Sequence, residues 1–280
     1  MKSRLTVKPN QVHQELLDEQ SPELLKELHL LTRDGALNAD ARRKLKQVNH
    51  LVNLMARALD DIFFRFENPV AIDVGAGKAY LGFILYQLYF SSRQKGQIIS
   101  IETRKELVQS AQEMASRLKF EKMQFVHSTI GDFSPTLGPS QRINLVTALH
   151  ACDTVTDDAL ILGVKSKADY LVVVPCCQAE VAELLKKEKA SEVSSLWNHG
   201  IHRREFGSHL TNVIRVLALE SLGYQVTVTE LVGWEHSLKN ELILAKRVQN
   251  ENTMAKEKLQ KLLADFEMRP KIIRDLFADL

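Results

Sequence analysis

From Pro69 onward the chain alternates between two kinds of segment. Short β-branched runs, "PVAIDVG", "GQIISIE", "KMQFVHS", "RINLVTALH" and "DYLVVVPCC", are separated by stretches of helical spacing such as "RKELVQSAQEMASRL". No other feature of the sequence constrains the fold as much. An apolar run without a polar face belongs to a strand covered on both sides, and parallel strands need a crossover, usually a helix, between them. The expected class is therefore α/β, with a mainly parallel sheet carrying helices on both faces.

The flanks read differently. From Ser21 to Phe66 the spacing is helical: "SPELLKELHLL" opens on Ser then Pro, and "ARRKLKQVNHLVNLMARALDDIFFRF" repeats apolar residues every three or four positions. After the fifth run, "QAEVAELLKKEKA" predicts a helix, "SEVSSLWNHGIHRREFGS" a polar loop and "HLTNVIRVLALESLG" a further helix. "YQVTVTELV" and "ELILAKRV" are joined by "GWEHSLKN", too short for a helical crossover, which predicts an antiparallel pair. The tail from Asn250 is rich in Lys, Glu, Leu and Ala and predicts helix. The expected organisation is a helical N-terminal extension over residues 1–67, a central domain over 68–248 and a helical C-terminal tail over 249–280.

Cysteine usage and charge narrow the setting. Cys152, Cys176 and Cys177, two of them adjacent, make no disulfide framework, and "MKSRLTVKPNQVHQELLDEQ" holds no apolar stretch of signal-peptide type. No segment approaches the ~20 apolar residues of a membrane span. The expectation is a soluble protein of the cytoplasm that does not engage a membrane. The formal net charge of +2 neither demands nor excludes a polyanionic partner, so a nucleic-acid reading rests on local basic clusters.

At the end of the first run, Asp73, Gly75 and Gly77 make D-x-G-x-G, leading into a helix expected to start near Lys78. Glycines there let backbone approach a ligand, and a helix N-terminus offers free N–H groups to a carboxylate or phosphate. The bland alternative is a tight structural turn. A dinucleotide fold would want a third glycine three residues after Gly77, where this chain has Tyr80; its next glycine is Gly82. That disfavours a nicotinamide oxidoreductase. The second run ends in Glu102, where an open α/β sheet places an acid for the hydroxyls of an adenosine ribose. After the third comes Asp132, within reach of an adenine edge. Acids at three successive strand ends line one crevice at the carboxyl side of a sheet.

With these residues in view, "DVGAGKAYLGF", "ALHACDTVTDDAL", "VPCCQ" and "SLKNELILAKR" resemble the class I S-adenosylmethionine-dependent methyltransferases over roughly Pro69 to Val248. The resemblance is to the branch containing eukaryotic tRNA ribose 2′-O-methyltransferases of the acceptor stem and methyltransferase-like proteins. It implies a Rossmann-like, seven-stranded sheet whose last strand is antiparallel, S-adenosyl-L-methionine as cofactor, and a site built from Asp73, Gly75, Gly77, Glu102, Asp132 and Leu149. Relatives of that branch carry Leu-His-x-Cys-Gly after strand four and Cys-Cys after strand five. This chain departs at Asp153, where glycine is usual, and at Ala79, where a second glycine often follows the lysine.

Methyl transfer from a sulfonium asks mainly for alignment, and a base only where the acceptor is weakly nucleophilic. His150, at the end of the fourth run, has a side chain suited to deprotonating a hydroxyl or ring nitrogen; the alternative is a pocket-shaping hydrogen bond. Asp153 is a candidate to orient it, to act as base, or to cap the helix beginning near Val155. Cys176 and Cys177 are candidate nucleophiles for adding to a pyrimidine ring, against the plain reading of buried cysteine as a small apolar residue. A zinc site is disfavoured because adjacent cysteines point in different directions. For RNA, with tRNA favoured, "NHGIHRREFGSHLTNVIR" interleaves Arg203, Arg204 and Arg215 with His199, His202, Phe206 and His209; Arg203, Arg204 and His209 are the substrate candidates. The competing readings are a protein or small-molecule methyltransferase, and a non-catalytic domain that keeps the cofactor as structural support.

Overall fold

A computed structural model describes residues 9–149, 153–175, 178–187, 193–231, 241–278 and 280. The chain divides into two compact units, Met1–Gln141 and Arg142–Leu280. Among the described residues the strands form a seven-stranded sheet in the order β3-β2-β1-β4-β5-β7-β6, the expected Rossmann-like arrangement with its last strand antiparallel.

In the first unit, α1 (Pro22–Glu27) opens as its sequence requires: Pro22 stands in the first turn and the Ser21 hydroxyl accepts from Leu24 N at 3.2 Å. α2 (Ala39–Arg65) is capped by Asn38, which accepts from Ala41 N at 2.9 Å, and buries the stripe Leu45, Val48, Val52, Met55, Leu59 and Ile62. Asn49 interrupts that stripe and is satisfied by Gln20, whose amide donates to it at 3.0 Å. β1 (Val70–Val74) is buried at every residue. It leads through a turn to α3 (Tyr80–Leu85), which runs on as a π-helical segment, Tyr86–Ser91. β2 (Gln97–Glu102), α4 (Lys105–Arg117) and β3 (Met123–His127) complete the unit. β1 pairs with β2 and β2 with β3, both parallel, with Val74 opposite Ile101 and Glu102 opposite His127. The carboxyl ends of these three strands therefore share one edge.

In the second unit, β4 (Ile143–Leu149), α5 (Thr154–Lys165) and β5 (Tyr170–Val174) make a parallel crossover, with Leu149 opposite Val174. α6 (Glu180–Lys187), a 3-10 turn at Val193–Leu196 and α7 (Gly200–Ser221) follow. β6 (Tyr224–Glu230) and β7 (Glu241–Arg247) are antiparallel, as their short connection predicts, and β7 also runs antiparallel to β5. The connection itself lies outside the described residues. The tail is helical, α8 (Thr253–Asp265) and α9 (Lys271–Leu276), and docks on its own unit through Arg274 Nη2, which donates to Glu180 at 3.0 Å.

One stretch corrects the sequence reading. The composition of residues 200–208 predicts a loop, yet α7 begins at Gly200. Tertiary packing supplies what local propensity lacks. Trp197, 3% exposed, stacks on Phe206 at 5.2 Å between ring centroids and meets Phe266 at 5.7 Å. Gly207, which reads as a helix breaker, is needed for the close approach of α6: a Cβ there would lie 2.8 Å from Ala182 Cα.

Candidate cofactor site

The turn after β1 uses its glycines for conformation. Gly75 and Gly77 hold φ of 61° and 59°, in the left-handed region where a side chain is strained. Ala79 takes the same region at φ 55°. It is the N-cap of α3, which starts at Tyr80 rather than Lys78, and no side chain caps this helix. Gly82 does the packing work of the absent third glycine: a Cβ there would lie 3.2 Å from Asp73 Oδ2 and 3.3 Å from Ser100 Oγ, so α3 sits directly on β1 and β2. Asp73, 4% exposed, is thereby placed under the first turn of α3.

Glu102 is the electrostatic centre of this edge. Its side chain is only 8% exposed, and Oε2 accepts from Gly77 N at 2.7 Å, which ties the end of β2 to the glycine turn. Arg104 donates its backbone N–H to Oε1 at 3.0 Å and forks over the carboxylate, Nε to Oε1 at 2.9 Å and Nη2 to Oε2 at 3.1 Å. Burial pushes the Glu102 carboxyl up, but the Arg104 fork and the two backbone N–H groups outweigh it and bring its pKa down to about 2. The carboxylate is thus ionised and held by a side chain that is itself 59% exposed.

A pair of left-handed glycines beside a buried, ionised carboxylate at a parallel strand end fits an adenosyl amino-acid cofactor. Gly75 and Gly77 present backbone without a side chain, and Glu102 presents acceptors for two ribose hydroxyls. Asp132 lies on an exposed turn beyond β3, its Oδ2 accepting from Thr129 Oγ1 at 2.6 Å. His127 and Ser128, at the start of that segment, bond to the Thr103 and Glu102 carbonyls at 2.9 and 3.3 Å.

The remaining candidates belong to the second unit. Leu149 ends β4, half-buried. His150, Cys152, Cys176 and Cys177 lie outside the described residues. Asp153 does not cap its own helix α5 with its side chain; instead Oδ1 accepts from Ala179 N at 2.9 Å and Glu180 N at 3.4 Å. Arg203 reaches back from the first turn of α7 to the Trp197 and Asn198 carbonyls at 3.4 and 3.5 Å, while Arg204 and His209 are exposed. Arg215 is corrected outright. It is wholly buried and donates from Nε to Asp157 Oδ1 at 2.7 Å, so it is not free to meet phosphate. Sequence reasoning also missed Arg104, although an arginine two residues after a strand-end acid was there to be seen.

A methyltransferase-domain family matches residues 43–184, just over half of the chain. Glutathione S-transferase C-terminal domain-containing proteins of Homo sapiens and Macaca fascicularis are 24% identical over 238 residues, covering 76% of this chain and 34% of theirs. The chain spans about a third of the length of those curated relatives. Among solved structures, an rRNA methylase from Streptococcus thermophilus is 8% identical with a TM-score of 0.46, covering 71% of this chain and 96% of that one. Magnesium protoporphyrin IX methyltransferase from Synechocystis PCC 6803 is 13% identical with a TM-score of 0.46, covering 81% and 93%. The chain belongs to the methyltransferase-domain family.

Proposed function

We propose that the chain is an S-adenosylmethionine-dependent methyltransferase that acts on RNA in the cytoplasm, with a tRNA-like substrate and a ribose hydroxyl or base as acceptor. The observation that carries the substrate class is the N-terminal part of α7. Arg204, His202, His209 and Ile201 are exposed there, and His199 and His202 lie edge to face at 5.5 Å. Exposed guanidinium and imidazole groups on one helix offer phosphate contacts and stackable rings. The Leu-His-x-Cys and Cys-Cys motifs, which resemble those of tRNA ribose 2′-O-methyltransferases, support the same reading. The catalytic domain is assigned to 68–248, between the two helical extensions.

When bound, S-adenosylmethionine supplies a methyl group already activated on sulfur. The chain's own residues then orient the ligand and handle the acceptor's proton. Glu102 would accept from the ribose hydroxyls, Gly75 and Gly77 would give backbone access beside Asp73, Asp132 would reach an adenine edge, and Leu149 is a further candidate for cofactor contact. His150 takes the proton of a hydroxyl acceptor; for a pyrimidine carbon, Cys176 or Cys177 adds to the ring first. Arg203, Arg204 and His209 hold the RNA. The test is incubation of the purified chain with methyl-labelled S-adenosylmethionine and separated RNA, protein and metabolite fractions from cells lacking the gene. Label in RNA is expected. Label confined to protein or metabolites overturns the substrate class, and tight cofactor binding without transfer to any fraction overturns the reaction.

A further inference from the structure

Asp153 stands in a conformation that the chain would be expected to give to glycine. Its φ of 48° and ψ of −119° fall where a Cβ is strained. Strain of this kind persists only where the surroundings hold it, and the surroundings are specific. The Asp153 carboxylate accepts from the backbone N–H groups of Ala179 and Glu180, at the entry to α6. Its carbonyl accepts from Arg215 Nη2 at 3.0 Å. A single residue thus joins the segment that follows His150–Cys152 to the segment that follows Cys176–Cys177.

Behind it lies a buried polar network on one face of α7. Ser208, Asn212 and Arg215, spaced four and three apart, all turn inward. Arg215 bonds Asp157 and, through Nη1, Asn212 Oδ1 at 3.1 Å; Gln178 Nε2 donates to the same Asn212 oxygen at 3.3 Å; Ser208 Oγ donates to Gln178 Oε1 at 2.7 Å. Asn212 Nδ2 donates to Glu241 at the start of β7. Burial pushes the Asp157 carboxyl up while the adjoining Arg215 guanidinium opposes it, so the pair is kept by mutual dependence rather than by solvent.

We propose that Asp153 is a positioning residue and not the base: it clamps the start of α5 to the start of α6, with the Arg215–Asn212–Gln178 network as its backing. This rests on the proposed methyl transfer only in that the clamped segments flank His150 and the cysteine pair. The strained backbone at Asp153 is then explained, since the two bonds to α6 offset it.

Three variants separate the roles. Asp153→Asn keeps an acceptor oxygen and tolerates positive φ; it should rescue the clamp, with amide exchange at Ala179 and Glu180, the transfer rate to labelled RNA and the pH profile of transfer all within about threefold of the parent. Asp153→Ala keeps the strain and loses both bonds, and should raise exchange at those two amides and lower transfer at least tenfold without moving the pH profile. Asp153→Gly loses the bonds but relieves the strain, and should melt above Asp153→Ala. If Asp153→Asn loses transfer by a hundredfold or more while exchange at Ala179 and Glu180 is unchanged, Asp153 is the base and the proposal fails. Unchanged exchange in Asp153→Ala also defeats it. Exchange is read without any substrate, so a failure of the RNA assignment, seen as an unlabelled RNA fraction with the parent chain, leaves the clamp separately decided.

Discussion

The Arg104 fork over Glu102 carries the most direct consequence for cofactor binding. Nε and Nη2 of Arg104 occupy Oε1 and Oε2 at 2.9 and 3.1 Å, the same oxygens that two ribose hydroxyls would need. The backbone donors from Gly77 and Arg104 remain whichever way the side chain turns. Binding must therefore displace the fork, and the cost of displacing it subtracts from affinity. A fully desolvated pair would be expensive to separate, but the Arg104 side chain is 59% exposed, which reduces the value to that of a surface pair, about 0.5–1 kcal/mol. Arg104→Ala should then tighten S-adenosylhomocysteine binding roughly two- to fivefold. Calorimetric titration at low and high salt reads this without reference to any acceptor. The parent should approach the variant as salt rises, because screening weakens the competing ion pair. Weaker binding by Arg104→Ala would refute the reasoning and make Arg104 a ligand of the cofactor rather than its competitor.

Further outcomes follow from the same geometry. Glu102 has its pKa lowered from 4.5 to about 2, so its contribution to stability is present at pH values above the ordinary carboxylate range and is lost as pH falls toward the lowered value. The stability difference between the parent and Glu102→Gln, from urea denaturation, should be constant from about pH 6 to pH 8 and shrink between about pH 5 and pH 2; a difference independent of pH throughout would contradict it. Gly207→Ala places a Cβ 2.8 Å from Ala182 Cα, and backbone cannot move aside as a side-chain tip can, so a loss of about 1–3 kcal/mol in denaturant unfolding is expected. Arg203→Ala with Arg204→Ala should leave S-adenosylhomocysteine affinity intact and reduce both RNA affinity and its salt slope, the slope by about one ion for each phosphate that is no longer neutralised. Arg204→Ala alone, at an exposed position, checks that the effect is not a disturbed helix start. His150→Ala should slow methylation of a ribose hydroxyl by roughly a hundredfold or more, as judged by single-turnover transfer, with Cys176→Ser and Cys177→Ser still active.

What the sequence determined by itself was local or periodic. The alternation from Pro69 to Cys177 pointed to a mainly parallel sheet, because short β-branched runs bounded by helical segments suit strands covered on both faces. The Ser21–Pro22 start is visible for the same kind of reason: the capping hydroxyl and the N–H it satisfies lie three residues apart. The glycine turn and Glu102 could be placed on one edge because parallel pairing puts successive strand ends together, and Gly77 N bonds Glu102 as that ordering requires.

Tertiary structure alone decided the features whose partners are distant in the chain. The face of "SHLTNVIR" that points inward depends on what α7 packs against, and Arg215, legible as a phosphate contact, is instead committed to Asp157, 58 residues away. Residues 200–208 carry two glycines, Gly200 and Gly207; the Trp197–Phe206–Phe266 cluster and the approach of Ala182 to Gly207 give the helix its stability. By local rules alone, Asp153 reads as a cap for the helix that it begins. Its carboxylate serves α6, 26 residues further on, because the strained backbone at this position aims the side chain across to Ala179 and away from its own first turn.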